Sequence, residues 1–243
     1  RWYALTMLTT LSRETAAYGV RLTSAQTRQF ETYFELLADW SRRVNLVGNV
    51  DAEVVQRRHF LESIVLGVAL REREILRPDT DLLDVGAGAG FPGAVLKIVW
   101  PGIRLTLLEA TAKKAAFLSA LVESLELDET AVLTGRAETL AHTPALRGRF
   151  DLVVARAVAP LPVLLELTLP FARVGGRVVT PKGSRAAEEI AAARHALAVL
   201  GGKVSTAPLP VPGPPQTLVA VMKERETPAE YPRRPGLPAK SPL

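Results

Sequence analysis

Leu82 to Gly93, Leu-Leu-Asp-Val-Gly-Ala-Gly-Ala-Gly-Phe-Pro-Gly, place three glycines at alternate positions directly after an apolar strand that carries one carboxylate, Asp84. Gly86, Gly88 and Gly90 allow positive φ and remove the Cβ atoms that would hold a ligand away from main-chain N–H groups. This is the chemistry of a nucleotide-like cofactor bound against backbone, and two cofactors compete for it. Gly88, Gly90 and Gly93 spell G-x-G-x-x-G, the dinucleotide signature. A pyrophosphate, however, wants a helix N-terminus rich in free donors and no neighbouring anion. Here Pro92 deletes a donor and Asp84 is expected at the mouth of the loop. S-adenosylmethionine has no phosphate and carries cationic sulfonium and ammonium groups, so an acidic turn built from Asp84, Gly86, Ala87, Gly88 and Gly90 suits it better. A second acid, Glu109, ends the next apolar strand 19 positions after Gly90, near the ~20-residue spacing at which an acid meets a ribose in doubly wound folds. Glu109 is the expected ribose ligand. The plainer alternative is an ordinary strand-to-helix turn with Asp84 as a helix cap.

The elements that must position these groups follow from periodicity. Phe30, Tyr33, Phe34, Leu37, Trp40 and Val44 recur at intervals of three and four, which predicts a helix over 24–44. A second helix is expected from 52 to 70, and residues 1–77 read as an all-helical part ended by Arg77-Pro78-Asp79. Strands are expected at 81–85, 104–109, 131–135, 150–155 and 177–181, with helices at 93–99, 111–126, 160–170 and 184–200. Such alternation implies a parallel, right-handed, doubly wound α/β sheet. After Gly201-Gly202 two extended segments, 203–211 and 217–223, flank Pro212-Gly213-Pro214-Pro215 and read as a terminal antiparallel hairpin. That ending suits a Rossmann-like methyltransferase sheet better than a dehydrogenase one. The domain reading is 1–77 helical, 78–224 catalytic, and 225–243 a basic, Pro-rich tail.

Composition narrows the chemistry. The chain has 243 residues, 48% of them hydrophobic, enough for one sizeable domain and an appendage. It has no cysteine, which excludes thiolate metal sites and disfavours C5-pyrimidine methylation, a reaction that needs a covalent nucleophile. No metal site is expected. No 18-residue apolar run occurs, and Arg13 and Glu14 cut short the run begun at Met7, so a cytoplasmic protein without membrane contact is expected. The net charge is +5; two of the excess charges fall in 1–77, one in 78–222 and two in 223–243, which favours a polyanionic partner engaged by the flanks. Few Asn and Gln beside so much Arg hint at a heat-adapted source.

Several segments together resemble the RsmG family, also called glucose-inhibited division protein B. They are Asn45-Leu46-Val47, Arg58-His59-Phe60-Leu61-Glu62-Ser63, Asp84 to Gly93, Leu107-Leu108-Glu109 with Lys113-Lys114, Arg136-Ala137-Glu138, Arg156-Ala157-Val158-Ala159, Pro181-Lys182-Gly183 and Tyr231 to Gly236. Ala89, Phe91 and Glu62 stand where the family often has Pro, Leu and Asp. The resemblance implies a class I, S-adenosylmethionine-dependent methyltransferase that modifies N7 of guanine 527 in 16S ribosomal RNA. Its implied partner is that RNA or the small ribosomal subunit, and a monomer is expected. It also implies cofactor contacts at Gly86, Phe91, Ala137, Glu138 and Arg156, with Ala110 and Thr111 beside Glu109.

The residues themselves supply part of this site. Arg156 ends the fourth strand at the carboxyl edge of the sheet, where ligands collect, and is expected to bridge cofactor and RNA; a structural salt bridge is the alternative. Lys182, after the fifth strand, is the candidate lysine for a phosphate or base, against an exposed strand-end lysine. Arg156 and Lys182 are therefore the catalytic candidates. Arg185 is poorly placed for its helix dipole, which points to an intermolecular task. For His59, beside Arg57 and Arg58, an exposed or capping histidine stands even with an RNA-contact or structural-orienting role. Tyr231 to Lys240, with Arg233 and Arg234, suits a backbone-tracking RNA contact or a strap packed on the domain. Guanine N7 offers an unprotonated lone pair, so proximity and alignment suffice, and the absence of an Asn/Asp-Pro-Pro-aromatic box disfavours adenine N6. Methyl transfer to another RNA, a protein or a small molecule on the same fold, and a non-enzymatic cofactor-binding assembly factor, stay open.

Overall fold

The computed structural model describes residues 10–243. Residues 1–9, which hold Met7 and the start of the expected helical part, lie outside the described residues. Residues 10–16 are helical. Helix α1, Ser24–Trp40, begins with a capping box in which the Thr23 hydroxyl accepts from the Gln26 N–H and the Gln26 side chain accepts from the Thr23 N–H. It ends at Trp40, short of the expected 44, because 41–44 turn back. Ala52–Val55, Gln56–Leu61 and Glu62–Glu72 form one continuous helix, α2, whose middle six residues are π-helical. The periodicity of the sequence gives no sign of that widened turn. It has a functional flavour, since π segments cluster at sites, and it carries Arg58 and His59.

Seven strands form one sheet in the order β3-β2-β1-β4-β5-β7-β6. They are β1 Asp81–Val85, β2 Arg104–Glu109, β3 Thr130–Thr134, β4 Phe150–Val154, β5 Ala172–Lys182, β6 Gly202–Leu209 and β7 Gln216–Lys223. The first five are parallel, and β7 runs antiparallel to both β5 and β6. Helices α3 Gly93–Val99, α4 Ala112–Ser124 and α6 Leu161–Thr168 make the crossovers, with a short α5, Ala137–Leu140, after β3. The expected 184–200 helix is two helices, α7 Ala186–Ala192 and α8 Arg194–Leu200, hinged at the fully buried Ala193. The break lets α7 aim Glu189 at the start of α6, where its carboxylate accepts the Leu161 N–H at 2.8 Å, while Ala196, Leu197 and Leu200 of α8 enter the core.

The N-terminal helices are not an appendage to this sheet. Leu11, Phe30, Tyr33, Phe60 and Ile64 share one core with Leu82, Leu96, Leu105 and Phe117 on one face of the sheet. Helices α6 and α8 cover the other face through Leu161, Leu164, Ala196 and Leu200. Polar clasps fix the first arrangement: the Gln26 amide donates to Ile98 O and Val99 O, the Gln29 amide to Leu125 O, and the Tyr33 hydroxyl to Ala89 O at 2.6 Å. The last of these holds the tip of the glycine loop from the helical side. A short helix, α9 Leu237–Lys240, closes the chain.

Candidate active site

The glycine loop leaves the carboxyl end of β1. Gly86, Gly88 and Gly90 have φ of 72°, 56° and 91°, the left-handed region that glycine enters without a Cβ clash. The loop folds onto β2 through the Gly86 and Ala87 N–H groups, which donate to Leu108 O. Glu109 meets it there: its carboxylate accepts the Gly88 N–H at 3.0 Å and the Thr111 N–H at 2.8 Å. Glu109 is buried, while Ala110 and Thr111 beside it are exposed. A Cβ built on Gly88 would meet only Gly86 O, at 3.7 Å, so the space over this glycine is open.

Asp84 sits differently from the sequence expectation. It lies beneath the loop and not at its mouth, fully buried, with Oδ2 accepting the Gly93 N–H at 2.8 Å. Gly93 is small for that reason, since a Cβ there would stand 2.8 Å from Asp84 Oδ2. The other oxygen, Oδ1, is buried without a hydrogen-bond partner. Burial pushes the carboxyl up to about 7, against the opposing pull of the Gly93 N–H and Arg156. An orphaned acceptor under a glycine cradle, with Glu109 at its rim, fits the cationic and phosphate-free S-adenosylmethionine. It does not fit a pyrophosphate, which both carboxylates would repel.

A test of this follows from linkage. The folded-state pKa of Asp84 lies above its ordinary value of 3.8, so between about pH 4 and 7 the folded protein holds a proton that the unfolded chain has lost. The contribution of Asp84 to stability therefore falls as pH rises through that window. Asp84→Asn keeps an acceptor for Gly93 and removes the buried charge. Above pH 7 it is expected to melt no lower than the parent without cofactor, while binding S-adenosylmethionine roughly 10- to 100-fold more weakly, the worth of a charged hydrogen bond. Differential scanning fluorimetry and calorimetry at pH 5 and 8 read both effects.

Arg156, Phe91 and His59 meet where α2 abuts the loop. Phe91 is sandwiched between Tyr33 and His59, with ring centroids 5.3 and 4.8 Å away and interplanar angles of 9° and 11°. Its faces are thus spent inside the protein, which leaves its edge and backbone for the expected cofactor contact. Arg156 donates to Arg58 O at 2.9 Å and to His59 Nδ1 at 2.8 Å, and its guanidinium carbon lies 5.5 Å from the Phe91 centroid. Because Arg can only donate, Nδ1 must accept and the neutral ring carries its proton on Nε2. Burial and the Arg156 charge lower the His59 pKa to about 4. The imidazole stays neutral at physiological pH. The next residue, Ala157, has φ of 56°, a strained conformation of the kind found at functional sites. Val158 then folds over the loop, its Cγ2 2.9 Å from where a Gly86 Cβ would stand.

Beside this junction opens a cleft of about 780 Å³, lined by Asn49, Arg58, His59, Glu62, Arg156, Lys182 and Gln216 among others. Sequence reasoning missed Glu62, Asn49 and Gln216. The resemblance touched Glu62 within a matching segment and as a departure from the usual Asp, Asn49 reaches the cleft from a loop, and Gln216 reaches it from the first position of β7.

The remaining candidates divide. Lys182 lines the cleft, but its Nζ is 2.8 Å from Glu189 Oε2 and donates to Ala159 O at 3.0 Å. Its charge is already paired, so it fixes the 156–159 segment instead of offering a free cation to phosphate. Lys182→Met is therefore expected to lower methyl transfer about tenfold or more, leave cofactor affinity unchanged, and leave the salt slope of RNA binding unchanged. A slope reduced by about one, measured by filter binding, would instead reveal a phosphate contact. Arg233 is likewise committed: it makes a bidentate pair with the fully buried Glu166, at 2.8 and 2.6 Å, and donates to Ser241 O. Its guanidinium is therefore engaged within the chain and not free for the expected RNA contact, and it fastens 231–243 to the domain as a strap. Arg147 holds the strap by donating to Tyr231 O, Thr227 O and Pro228 O, and His142 Nε2 lies 2.8 Å from Pro232 O. Glu138 is buried and accepts from Arg136 and from the Gly236 N–H, so it joins the strap to α5, whose first residue is the buried Ala137. Arg58, Arg185 and Arg234 are exposed and make no ion pair among the described residues. No cluster of three or more metal-ligating side chains occurs among the described residues.

An acidic glycine loop at the carboxyl end of β1, in a seven-stranded sheet whose seventh strand alone enters antiparallel between its neighbours, defines a class I S-adenosylmethionine-dependent methyltransferase. Solved structures share the fold. A putative S-adenosylmethionine-dependent methyltransferase from Methanococcus maripaludis aligns over 72% of this chain and 90% of its own, with a TM-score of 0.56 and 11% identity. Precorrin-6y C5,15-methyltransferase from Geobacter metallireducens aligns over 73% and 90%, with a TM-score of 0.50 and 16% identity. The chain belongs to the family described as rRNA small subunit methyltransferase G, whose model matches residues 26–212. It is similar to the ribosomal RNA small subunit methyltransferase G of Dehalococcoides mccartyi, at 46% identity over 94% of this chain and 96% of the relative. The Chloroflexus aggregans protein of that name is 44% identical over 96% and 97%.

Proposed function

We propose that this protein methylates N7 of a guanine in the RNA of the small ribosomal subunit. The family match carries the reading, and the cleft next to the glycine loop agrees with it in offering no free imidazole as a base. His59, the one imidazole there, is engaged at Nδ1, stacked and neutral. Such a cleft suits a nucleophile that already has an unprotonated lone pair and needs only to be positioned. When bound, S-adenosylmethionine supplies an electrophilic methyl group, which the N7 lone pair takes as the carbon–sulfur bond breaks with its electrons kept by sulfur, leaving the base with one positive charge and no proton on N7 that a base must remove.

The loop from Gly86 to Gly90 would hold the cofactor against backbone, with Glu109 for the ribose and Asp84 for the cationic end. Arg156 fixes the wall between cofactor and base, and the 156–159 segment, pinned by Lys182, forms its floor. The exposed Arg58, Arg185 and Arg234 would meet phosphates, which position an RNA without reading its sequence. On this reading the enzyme acts as a monomer in the cytoplasm, on 16S RNA or the small subunit. The support is the family, the basic flanks and the lack, among the described residues, of any helix long and apolar enough to cross a membrane. Residues 1–77 and 78–224 act as one catalytic unit, since their core is shared, with 225–243 as a stabilising strap. Incubating the protein with labelled methyl donor and 16S RNA, small subunits or ribosomal protein tests the substrate class. Label is expected in RNA, and label in protein alone would refute the reading.

A further inference from the structure

Glu62 stands where the π-helical turn of α2 gives way to regular helix, and nothing in the cofactor chemistry uses it. Its side chain lines the cleft and is 11% exposed. One carboxylate oxygen is 3.5 Å from Arg156 Nη1, yet Arg156 directs its hydrogen bonds elsewhere, to Arg58 O and His59 Nδ1. The Gln216 side chain hydrogen-bonds Glu62 from the hairpin, and burial raises its pKa in spite of the arginine. A carboxylate has about four lone-pair sites. Arg156 favours the charged form by proximity, against burial, Gln216 occupies part of the carboxylate, and the side chain lines the cleft.

We propose that Glu62 is the residue that selects guanine, by accepting the N1–H and N2–H groups of its Watson–Crick edge with the two carboxylate oxygens. Guanine alone among the RNA bases presents two adjacent N–H donors on that edge, and a carboxylate is the acceptor that matches them in bidentate fashion. A base gripped there presents N7 on its far side. The interaction also strengthens as the reaction proceeds: methylation puts a positive charge on the base, which makes N1–H a better donor and a nearby carboxylate more stabilising. Binding that grows toward the transition state raises kcat more than it lowers KM. Adenine and cytosine would set an acceptor, N1 or N3, against the carboxylate, which penalises them by leaving buried polar groups unpaired.

The proposal rests on the guanine-N7 reading, and its test separates the two. Small subunits are assembled with 16S RNA ligated to carry either guanosine or inosine at the methylated position; inosine lacks only the N2 amine. The unaltered enzyme is expected to prefer guanosine roughly 10- to 100-fold in kcat/KM, the worth of one charge-assisted hydrogen bond. In Glu62→Gln and Glu62→Ala this preference should collapse to within about threefold, through loss on guanosine, with S-adenosylmethionine affinity by calorimetry unchanged and a cooperative melting transition retained, its midpoint lowered by the loss of the Arg156 counter-charge. Glu62→Asp should recover part of the preference. A guanosine-to-inosine ratio that stays at the parent value in both Gln and Ala variants overturns the assignment to Glu62. If the unaltered enzyme places no methyl group on the guanosine-bearing subunit, the guanine-N7 reading itself fails.

Discussion

Gly88→Arg is expected to lose measurable S-adenosylmethionine binding, a drop of more than about 100-fold, while the protein still folds. The two halves of this expectation have separate causes. Gly88 has φ of 56°, and a Cβ there would meet only Gly86 O, at 3.7 Å, so the start of the side chain adds no clash and the backbone bears the left-handed cost of roughly 1–2 kcal/mol. The space that receives the side chain is the open face of the loop, bounded by Glu109, whose carboxylate accepts the Gly88 N–H. A long cationic side chain beside that carboxylate would both fill the cradle and neutralise the group expected to hold the ribose. Isothermal calorimetry and thermal melting check this together. Cofactor affinity within threefold of the parent would show that the loop does not hold the ligand.

Arg233→Met is expected to cost about 3 kcal/mol of stability, the low end of the range for stripping a partner from a buried ion pair. Glu166 is fully buried, and Arg233 supplies it with both guanidinium contacts as well as its own N–H. The variant leaves that carboxylate with the backbone donor alone. Because Arg233 is itself about one-fifth exposed, the low end applies. For a chain of this length the melting temperature should fall by roughly 6–12 °C. Adding Glu166→Gln should restore part of the loss, since the uncompensated charge is then gone. The damage should also reach the cofactor side, because Gly236, three residues on, hydrogen-bonds Glu138 at the start of α5. A melting point unchanged by Arg233→Met would show that the strap contributes nothing.

The alternation of apolar strands with helices was legible because each strand is a short buried run bounded by turn residues, and β1, β2 and β7 fall within a residue of their expected limits. The glycine loop was legible because a positive-φ turn leaves its mark in residue type. Counterions leave no such mark. Arg233 reads as an RNA contact until Glu166, far back in the chain, is seen beneath it, and Lys182 does so until α7 brings Glu189 to it. Asp84 was found for its type and spacing, but its depth under the loop depends on Gly93 being small enough to let a backbone N–H reach it. The π-helical turn that carries Arg58 and His59 into the cleft has no pattern in a helical period, and so Glu62 stayed out of view. Phe91 was read as facing the cofactor; the rings that claim it, Tyr33 and His59, come from helices assigned to another part of the chain.

The central claim is that the cleft beside the glycine loop presents a guanine to the methyl donor through N7. Incubating small subunits or their 16S RNA with labelled S-adenosylmethionine, digesting to nucleosides and identifying the modified base by mass spectrometry tests it most directly. The expected product is 7-methylguanosine at a single position, absent with Gly88→Arg. A methyl group on a different atom or a different base, formed by the intact enzyme, would contradict the claim.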